Sequence, residues 1–306
     1  MLNVSPILAA NPLEHVVNHP LIKTDGGVWI LTTHQVMILI VAVIMLLIFP
    51  RITRRYQSGE HVPTGTRNFF EAIMLYIRDD VVKPLLGHAT TKYMPYLWTL
   101  FFFILFCNLI GMLPLDALTG WTGLNHGHGI GGTATGNIWV TATLAIITYV
   151  VTQVSGLRAN GLKGWMTHFL GGAPWYVSPV MIPVEIMSMF VKPFALAVRL
   201  FANMTAGHIL LAVIISFVPA AFISMGAKGG VPIGFVSVVS SVLVMVLELL
   251  VAFIQAYLFT FLTALFISQM ITHEEHEEHH EDEFHNGHPV VEEVADHRPA
   301  HRAHQM

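Results

Sequence analysis

Long apolar stretches alternate with short polar segments along this chain. Five of them are long enough to cross about 30 Å of hydrocarbon as helices, at residues 28–50, 93–114, 138–156, 178–225 and 231–271. Residues 66–87 differ, because their apolar positions recur every three or four residues with charged residues between them. That segment is too charged to span, so we expect an amphipathic helix on the cytoplasmic membrane surface, with a soluble connecting helix as the alternative. The pattern predicts an all-α membrane protein.

The last two apolar stretches are too long to stand upright in a bilayer. At 1.5 Å per residue each helix would measure on the order of 60 Å, about twice the hydrocarbon thickness. Each is therefore either broken, for which Pro183 and Pro193 make the first stretch a candidate, or steeply tilted. A short loop containing Gly and Pro, residues 226–232, joins the two stretches. We favour two strongly tilted helices that form a hairpin.

Basic residues predict the orientation of the chain. Arg51, Arg54 and Arg55 directly follow the first stretch, so by the positive-inside rule this end is cytoplasmic and residues 1–27 are external. Five crossings then place residues 272–306 in the cytoplasm. This tail is dense in His, Glu and Asp and almost free of apolar runs, which predicts disorder.

The composition narrows the class of protein further. Charged residues make up 11% of the 306 positions and the net charge is -4, whereas soluble domains carry about 25% charged residues. The small net charge argues against nucleic acid as a partner. The chain contains no phosphate-binding loop, HExxH motif or nucleophile motif, so we expect neither an enzyme on its own nor a bound cofactor.

A row of polar residues marks the stretch of residues 178–225. Ionisable groups inside apolar spans are costly, so each of them is a functional candidate. At 100° per residue, five of them fall within a narrow arc of the helix, namely Glu185, Ser188, Lys192, Arg199 and Asn203. We call this set the polar stripe, and a stripe of this kind lines water or a partner rather than lipid.

Arg199 is the most unusual member of the polar stripe, because apolar residues flank it far from either helix end. Its guanidinium stays charged at any relevant pH. A fixed charge there blocks other cations and attracts a carboxylate that a partner presents. The alternative is a structural ion pair within the chain, with Glu185 or Glu248.

The last apolar stretch also carries polar residues on one face. Glu248 and Gln255 lie two turns apart, with Ser241 seven residues before Glu248. A carboxyl group inside a membrane span suits a proton relay. His208, in the preceding stretch, is either a packing residue or a second relay member, and a partner such as Glu248 would favour the relay.

Three runs of residues resemble subunit a of F-type ATP synthases. They are KPFALAVRLFANMTAGH at 192–208, ELLVAFIQAYLF at 248–259 and NLIGMLP at 108–114. Their order, spacing and topology agree with that family over about residues 10–271. The resemblance implies a proton-translocating stator subunit in a bacterial-type inner membrane, in contact with a c-ring and with peripheral-stalk b subunits. The tail of residues 272–306 departs from the family and inherits no role.

The resemblance also implies roles for single residues. Arg199 matches the essential arginine that faces the c-ring carboxylates and separates two offset aqueous half-channels. In the best-known enterobacterial members the acid and the histidine of the outer pair occupy exchanged positions. The other matched residues belong to the proton path: Asn203 and Gln255 beside the arginine, Glu248 and His208 in the outer half-channel, and Glu185 and Ser188 in the cytoplasmic half-channel.

Other interpretations remain open at this stage. A sodium-coupled form of the same subunit would carry the same motifs. A secondary transporter usually has repeated halves, which this sequence lacks, and an anchoring protein would not need ionisable groups inside its spans. His126 and His128, in the predicted external loop 116–137, and the histidines of the tail are candidate metal ligands. We expect no metal site, because two histidines without a fixed third ligand bind metal poorly.

Overall fold

The computed structural model describes residues 20–23, 29–57, 65–113, 133–168, 176 and 178–271. The predictions for the first 19 residues, for His126 and His128, and for the tail of residues 272–306 lie outside this part of the chain. Within it, four helices are long and apolar enough to cross a membrane. The predicted all-α membrane architecture is confirmed.

A short antiparallel pair of strands precedes the first helix and was not predicted. Strand β1 (Pro20–Lys23) pairs with β2 (Trp29–Thr32), and helix α1 (Thr33–Gln57) follows at once. The Thr32 amide donates to Gln35 Oε1 at 3.0 Å, and the Gln35 amide donates to Thr32 Oγ1 at 3.4 Å. These reciprocal bonds form a capping box. They explain why the helix begins at Thr33 rather than near the predicted residue 28.

The segment predicted to lie on the membrane surface consists of several helical pieces. They are α2 (Thr66–Tyr76), a π-helical segment (Ile77–Val82), α3 (Lys83–Leu86) and a 3₁₀ turn (Gly87–Ala89). The long helix α4 (Thr90–Gly111) then begins, and its Trp98 indole donates to the Met74 carbonyl of α2 at 3.0 Å. The charged residues Asp79 and Asp80 are exposed while Val82 is buried, so one face of the segment packs on the helices.

Two further helices complete the structure. A 3₁₀ turn (Ala134–Gly136) leads into α5 (Ile138–His168), which is interrupted by a non-helical residue at Gly161, and α6 spans Ser178–Ile271. Helix α6 packs against both α4 and α5. The core between them is apolar and its largest members are fully buried, among them Leu97, Phe102, Leu200, Phe259 and Ile267.

Helix α6 is a hairpin rather than one straight rod. Gly226 interrupts it with φ 65° and ψ -165°, a combination essentially restricted to glycine because any Cβ would clash. We call residues 178–225 the first arm and residues 227–271 the second arm. Contacts between the arms run antiparallel, because Asn203 bonds Gln255 whereas Lys192 bonds Gln269. The hairpin therefore turns at a single glycine, where a loop over residues 226–232 was expected.

Both arms keep large apolar side chains exposed. Phe194 is 69% exposed on the first arm, and Phe235 and Leu243 are 70% and 66% exposed on the second. A soluble monomer rarely exposes a continuous apolar surface of this extent. These faces are suited to lipid or to an apolar protein partner.

Candidate functional site along the hairpin

Arg199 lies on the exposed side of the first arm, between the exposed Val198 and the fully buried Leu200. It forms no ion pair with Glu185 or with Glu248, the two internal partners considered from the sequence, and no other described residue bonds its guanidinium. Because the guanidinium is exposed and has no partner among the described residues, it stays accessible from outside the chain.

An amide pair connects the two arms one helical turn beyond Arg199. Asn203 Nδ2 donates to Gln255 Oε1 at 2.9 Å, and the Gln255 side chain is only 1% exposed. Gln255 Nε2 has no hydrogen-bond partner in the part of the chain that the structure describes. An unsatisfied buried donor destabilises a protein by about 1–3 kcal/mol, which marks this pair as a polar site inside an apolar interface.

Glu248 and His208 meet further along the hairpin. Glu248 Oε1 lies 3.6 Å from His208 Nδ1, and their side chains are 3% and 20% exposed. Within the described residues, neither carboxylate oxygen of Glu248 accepts a hydrogen bond. The other ring nitrogen of His208, Nε2, is hydrogen-bonded to Thr133 Oγ1. A titratable acid, an imidazole and a hydroxyl thus lie in one row.

The carboxyl group of Glu248 packs directly on Gly207. A Cβ built on Gly207 would lie 2.8 Å from Glu248 Oε1 and 3.1 Å from its Cδ. Only glycine allows the two arms to approach so closely at this point. The same absence of a side chain leaves the carboxyl next to His208, the following residue.

Sequence reasoning did not find Thr133 or the polar contacts around it. Thr135 Oγ1 donates to Asn108 Oδ1 at 2.7 Å, and Asn137 Nδ2 lies 3.2 Å from His34 Nδ1. Asn108 belongs to the run NLIGMLP, which resembles subunit a. Thr133, by contrast, follows a glycine-rich loop that has no hydrophobic periodicity to single it out. Only the packing of the 3₁₀ turn against α4 and α6 brings these groups to the Glu248 side of the hairpin.

A cavity opens on the other side of Arg199. Its volume is about 440 Å³. Helix α5 and both arms of α6 contribute polar side chains to its lining, including Gln153 of α5, Glu185 and Lys192 of the first arm, and Gln269 of the second arm. Lys192 Nζ donates to Gln269 Oε1 at 3.3 Å. Ser188, predicted to share this path, is half-buried but does not line the cavity.

The two polar sites lie on opposite sides of Arg199 along the first arm. Glu185 is 14 residues before Arg199 and His208 is nine residues after it, so the helical rise places them about 21 Å and about 14 Å away. The polar stripe is therefore divided. Ser241 joins neither site, since its hydroxyl bonds the Ser237 carbonyl of its own helix. No group of three or more candidate metal ligands occurs among the described residues.

Apolar exposed helices with ionisable groups between them define an integral membrane protein of the ion-transport class. The sequence profile of the ATP synthase A chain family matches residues 35–268. The ATP synthase subunit a of Chloroherpeton thalassium is 45% identical over 262 residues, which cover 85% of this chain and 72% of that protein. The Myxococcus xanthus ATP synthase subunit a is 38% identical over 276 residues, 89% of this chain and 82% of its own.

Prosthecochloris aestuarii contains a further relative, ATP synthase subunit a 2, which is 44% identical over 84% of this chain and 74% of its own length. The chain belongs to the ATP synthase A chain family, as a subunit a of F-type ATP synthases. It is a membrane component of that complex and takes part in ATP synthesis and ion transport.

Proposed function

We propose that this chain conducts protons through two offset half-channels and couples their flow to rotation of a c-ring by means of Arg199. The observation that carries this proposal is the position of Arg199. It is an exposed charge within an apolar surface, without a partner among the described residues, and it lies between two polar sites that the helix holds about 35 Å apart. The subunit is itself non-catalytic, and ATP chemistry takes place on other subunits.

The outer half-channel leads to Glu248 and His208. Both groups can bind and release a proton, and they lie 3.6 Å apart. The hydrogen bond between His208 and Thr133 holds the imidazole in place, so that a proton passes between two positioned groups. Asn203 and Gln255 then lie between this pair and Arg199. Proton exchange at a carboxyl and an imidazole favours H⁺ over Na⁺ as the coupling ion.

The cytoplasmic half-channel is the cavity beside Glu185. Polar side chains in its lining can interact with a proton or with water, and Lys192 of the first arm bonds Gln269 of the second arm across it. Ser188 follows Glu185 by one helical turn. A proton that leaves the ring passes through this cavity to the cytoplasm.

Arg199 keeps the two paths separate. A proton from the outer path neutralises a ring carboxylate, which then rotates into lipid. A carboxylate that arrives from the other side releases its proton near Arg199, because the fixed positive charge stabilises the anion in a medium of low dielectric constant. One charge that crosses 100 mV supplies about 2.3 kcal/mol, so several protons must pass for each ATP.

The remaining assignments follow from this arrangement. The c-ring meets the exposed apolar face that carries Arg199 and Phe194, and peripheral-stalk b subunits hold the chain in the stator. The two arms lie strongly tilted in a bacterial-type inner membrane. Arg51, Arg54 and Arg55 follow the first span, which makes that end cytoplasmic and the N-terminus external. Five crossings then place the C-terminus in the cytoplasm.

ATP-driven proton pumping by vesicles that contain the whole complex tests this proposal. Arg199→Ala should abolish pumping while the complex stays assembled, because the ring carboxylate then loses its counter-charge. Arg78→Ala is the matched control, since the Arg78 side chain is 43% exposed and pairs with its neighbour Asp79 at 2.9 Å rather than with a residue of the hairpin. Normal pumping by the Arg199 variant would contradict the coupling role.

A further inference from the structure

A second cleft, separate from the hairpin site, opens where α4 begins, beside the break in α5 at Gly161 and the end of α6. Its volume, with the open solvent at its mouth included, is about 1340 Å³, and Ile271, the last described residue of α6, lies at its edge. The Ser268 hydroxyl donates to the Leu85 carbonyl at 2.6 Å and joins α6 to α3 on one side of it. We call this space the basic cleft.

Three basic side chains line the basic cleft: His88, Lys92 on α4, and Arg158 on α5. All three are exposed, and none of the described lining residues is acidic. Among the described residues, neither Lys92 nor Arg158 has a carboxylate partner, and Lys92 Nζ only approaches the Tyr93 ring, at 5.3 Å from its centroid. The cleft thus concentrates positive charge from two helices without an anion.

The chain itself carries a matching set of anions directly beyond the edge of the cleft. Seven carboxylates lie between residues 274 and 283, and no Lys or Arg follows Ile271 before Arg298. An extended chain reaches at most about 3.6 Å per residue, so Glu274 lies within about 11 Å of Ile271. A segment tethered this closely is present at an effective concentration of the order of millimolar.

We propose that the acidic stretch of residues 273–283 docks in the basic cleft and pairs its carboxylates with Lys92 and Arg158. Single surface ion pairs contribute little, but several carboxylates that face a shared cationic site act as a network. Since the stretch follows α6 along the chain, docking ties the end of α6 to the start of α4 and to α5 near Gly161. The proton path is not involved, and this docking holds whether or not the proposed coupling role of Arg199 is correct.

Zero-length carbodiimide cross-linking of the assembled complex in vesicles tests the docking. Lys92 should give cross-linked peptides with carboxylates of residues 274–283. Lys228, which is exposed near the turn of the hairpin, is the matched control and should give none with this stretch. Arg158→Glu should lower the Lys92 yield about fivefold, because charge reversal removes one attraction and adds a repulsion. Absent or equal cross-linking at the two lysines would overturn the proposal.

An anionic phospholipid headgroup is the competing occupant of the basic cleft. Labelling of the Lys92 amine by a water-soluble acylating reagent distinguishes the acidic stretch from a lipid headgroup as the occupant. The labelling is compared in vesicles of phosphatidylcholine and in vesicles of phosphatidylglycerol. Truncation after Thr272, or replacement of the seven carboxylates by amides, should raise labelling in both kinds of vesicle. If Lys92 labelling is the same with and without the acidic stretch, and is lower in phosphatidylglycerol than in phosphatidylcholine vesicles, the cleft binds lipid and the docking proposal is refuted.

Discussion

Replacing Gly207 with alanine tests whether close contact between the arms positions Glu248. The added Cβ would lie 2.8 Å from Glu248 Oε1, where an ordinary contact begins near 3.4 Å. The carboxyl group must therefore shift by about 0.6 Å, and overpacking of this kind destabilises a protein by about 1–3 kcal/mol. Alanine favours the helix by about 1 kcal/mol relative to glycine, so the fold and assembly should survive. The effect should appear in proton transfer instead.

A misplacement approaching 1 Å can slow a positioned reaction by up to about 100-fold, so we expect proton conduction to fall between tenfold and 100-fold. The assay is passive proton flux through the membrane sector in vesicles. Gly234→Ala is the control, because its Cβ would meet Phe222 Cε2 at 3.5 Å and Val218 Cγ1 at 3.7 Å, both ordinary contacts. Glu248→Asp in the Gly207→Ala background should recover part of the flux, since the shorter side chain relieves the contact. Unchanged flux in Gly207→Ala would refute the positioning of Glu248 by this contact.

Three further variants test other parts of the hairpin. Glu248→Ala should slow passive proton flux without preventing assembly, because it removes the buried acid beside His208; normal flux would exclude Glu248 from the relay. Asn203→Leu breaks the 2.9 Å bond to Gln255 but keeps the fixed charge, so ATP-driven pumping should fall less than in Arg199→Ala, and an equal loss would reverse that ranking. Gly226→Ala places a Cβ at φ 65° and should destabilise the subunit by about 1–3 kcal/mol, measured as a lower midpoint of denaturant-induced unfolding; an unchanged midpoint would show that the turn carries no strain.

The large apolar segments could be predicted from sequence because the bilayer imposes a simple requirement on them. A span needs about 20 apolar residues, and every backbone polar group must be satisfied within the helix. This requirement marked α1, α4, α5 and both arms of α6. The start of α1 was placed too early, although Thr32 and Gln35 have the spacing of a capping box. The residues of strand β2 before the cap are mostly apolar, so composition alone does not distinguish them from the first turn of a spanning helix.

The turn of the hairpin shows where composition was insufficient. A run with three glycines and a proline suggested a loop over residues 226–232. In the structure Gly226 alone reverses the chain, and helix continues on both sides. Propensity describes what a residue tolerates, and the packing of the two arms decides which glycine adopts the rare conformation.

The sequence alone determined that Glu185, Arg199, His208 and Glu248 lie within apolar spans, since ionisable residues there stand out against their neighbours. Tertiary structure decided which of them meet. It brought Glu248 to His208 and added Thr133. It gave Arg199 no partner among the described residues and kept Ser188 out of the cavity beside Glu185. Helical periodicity assigns a residue to a face of its own helix. Contacts between helices depend instead on how closely the two arms approach each other, which is set by the small residue Gly207 and by the direction of the turn at Gly226.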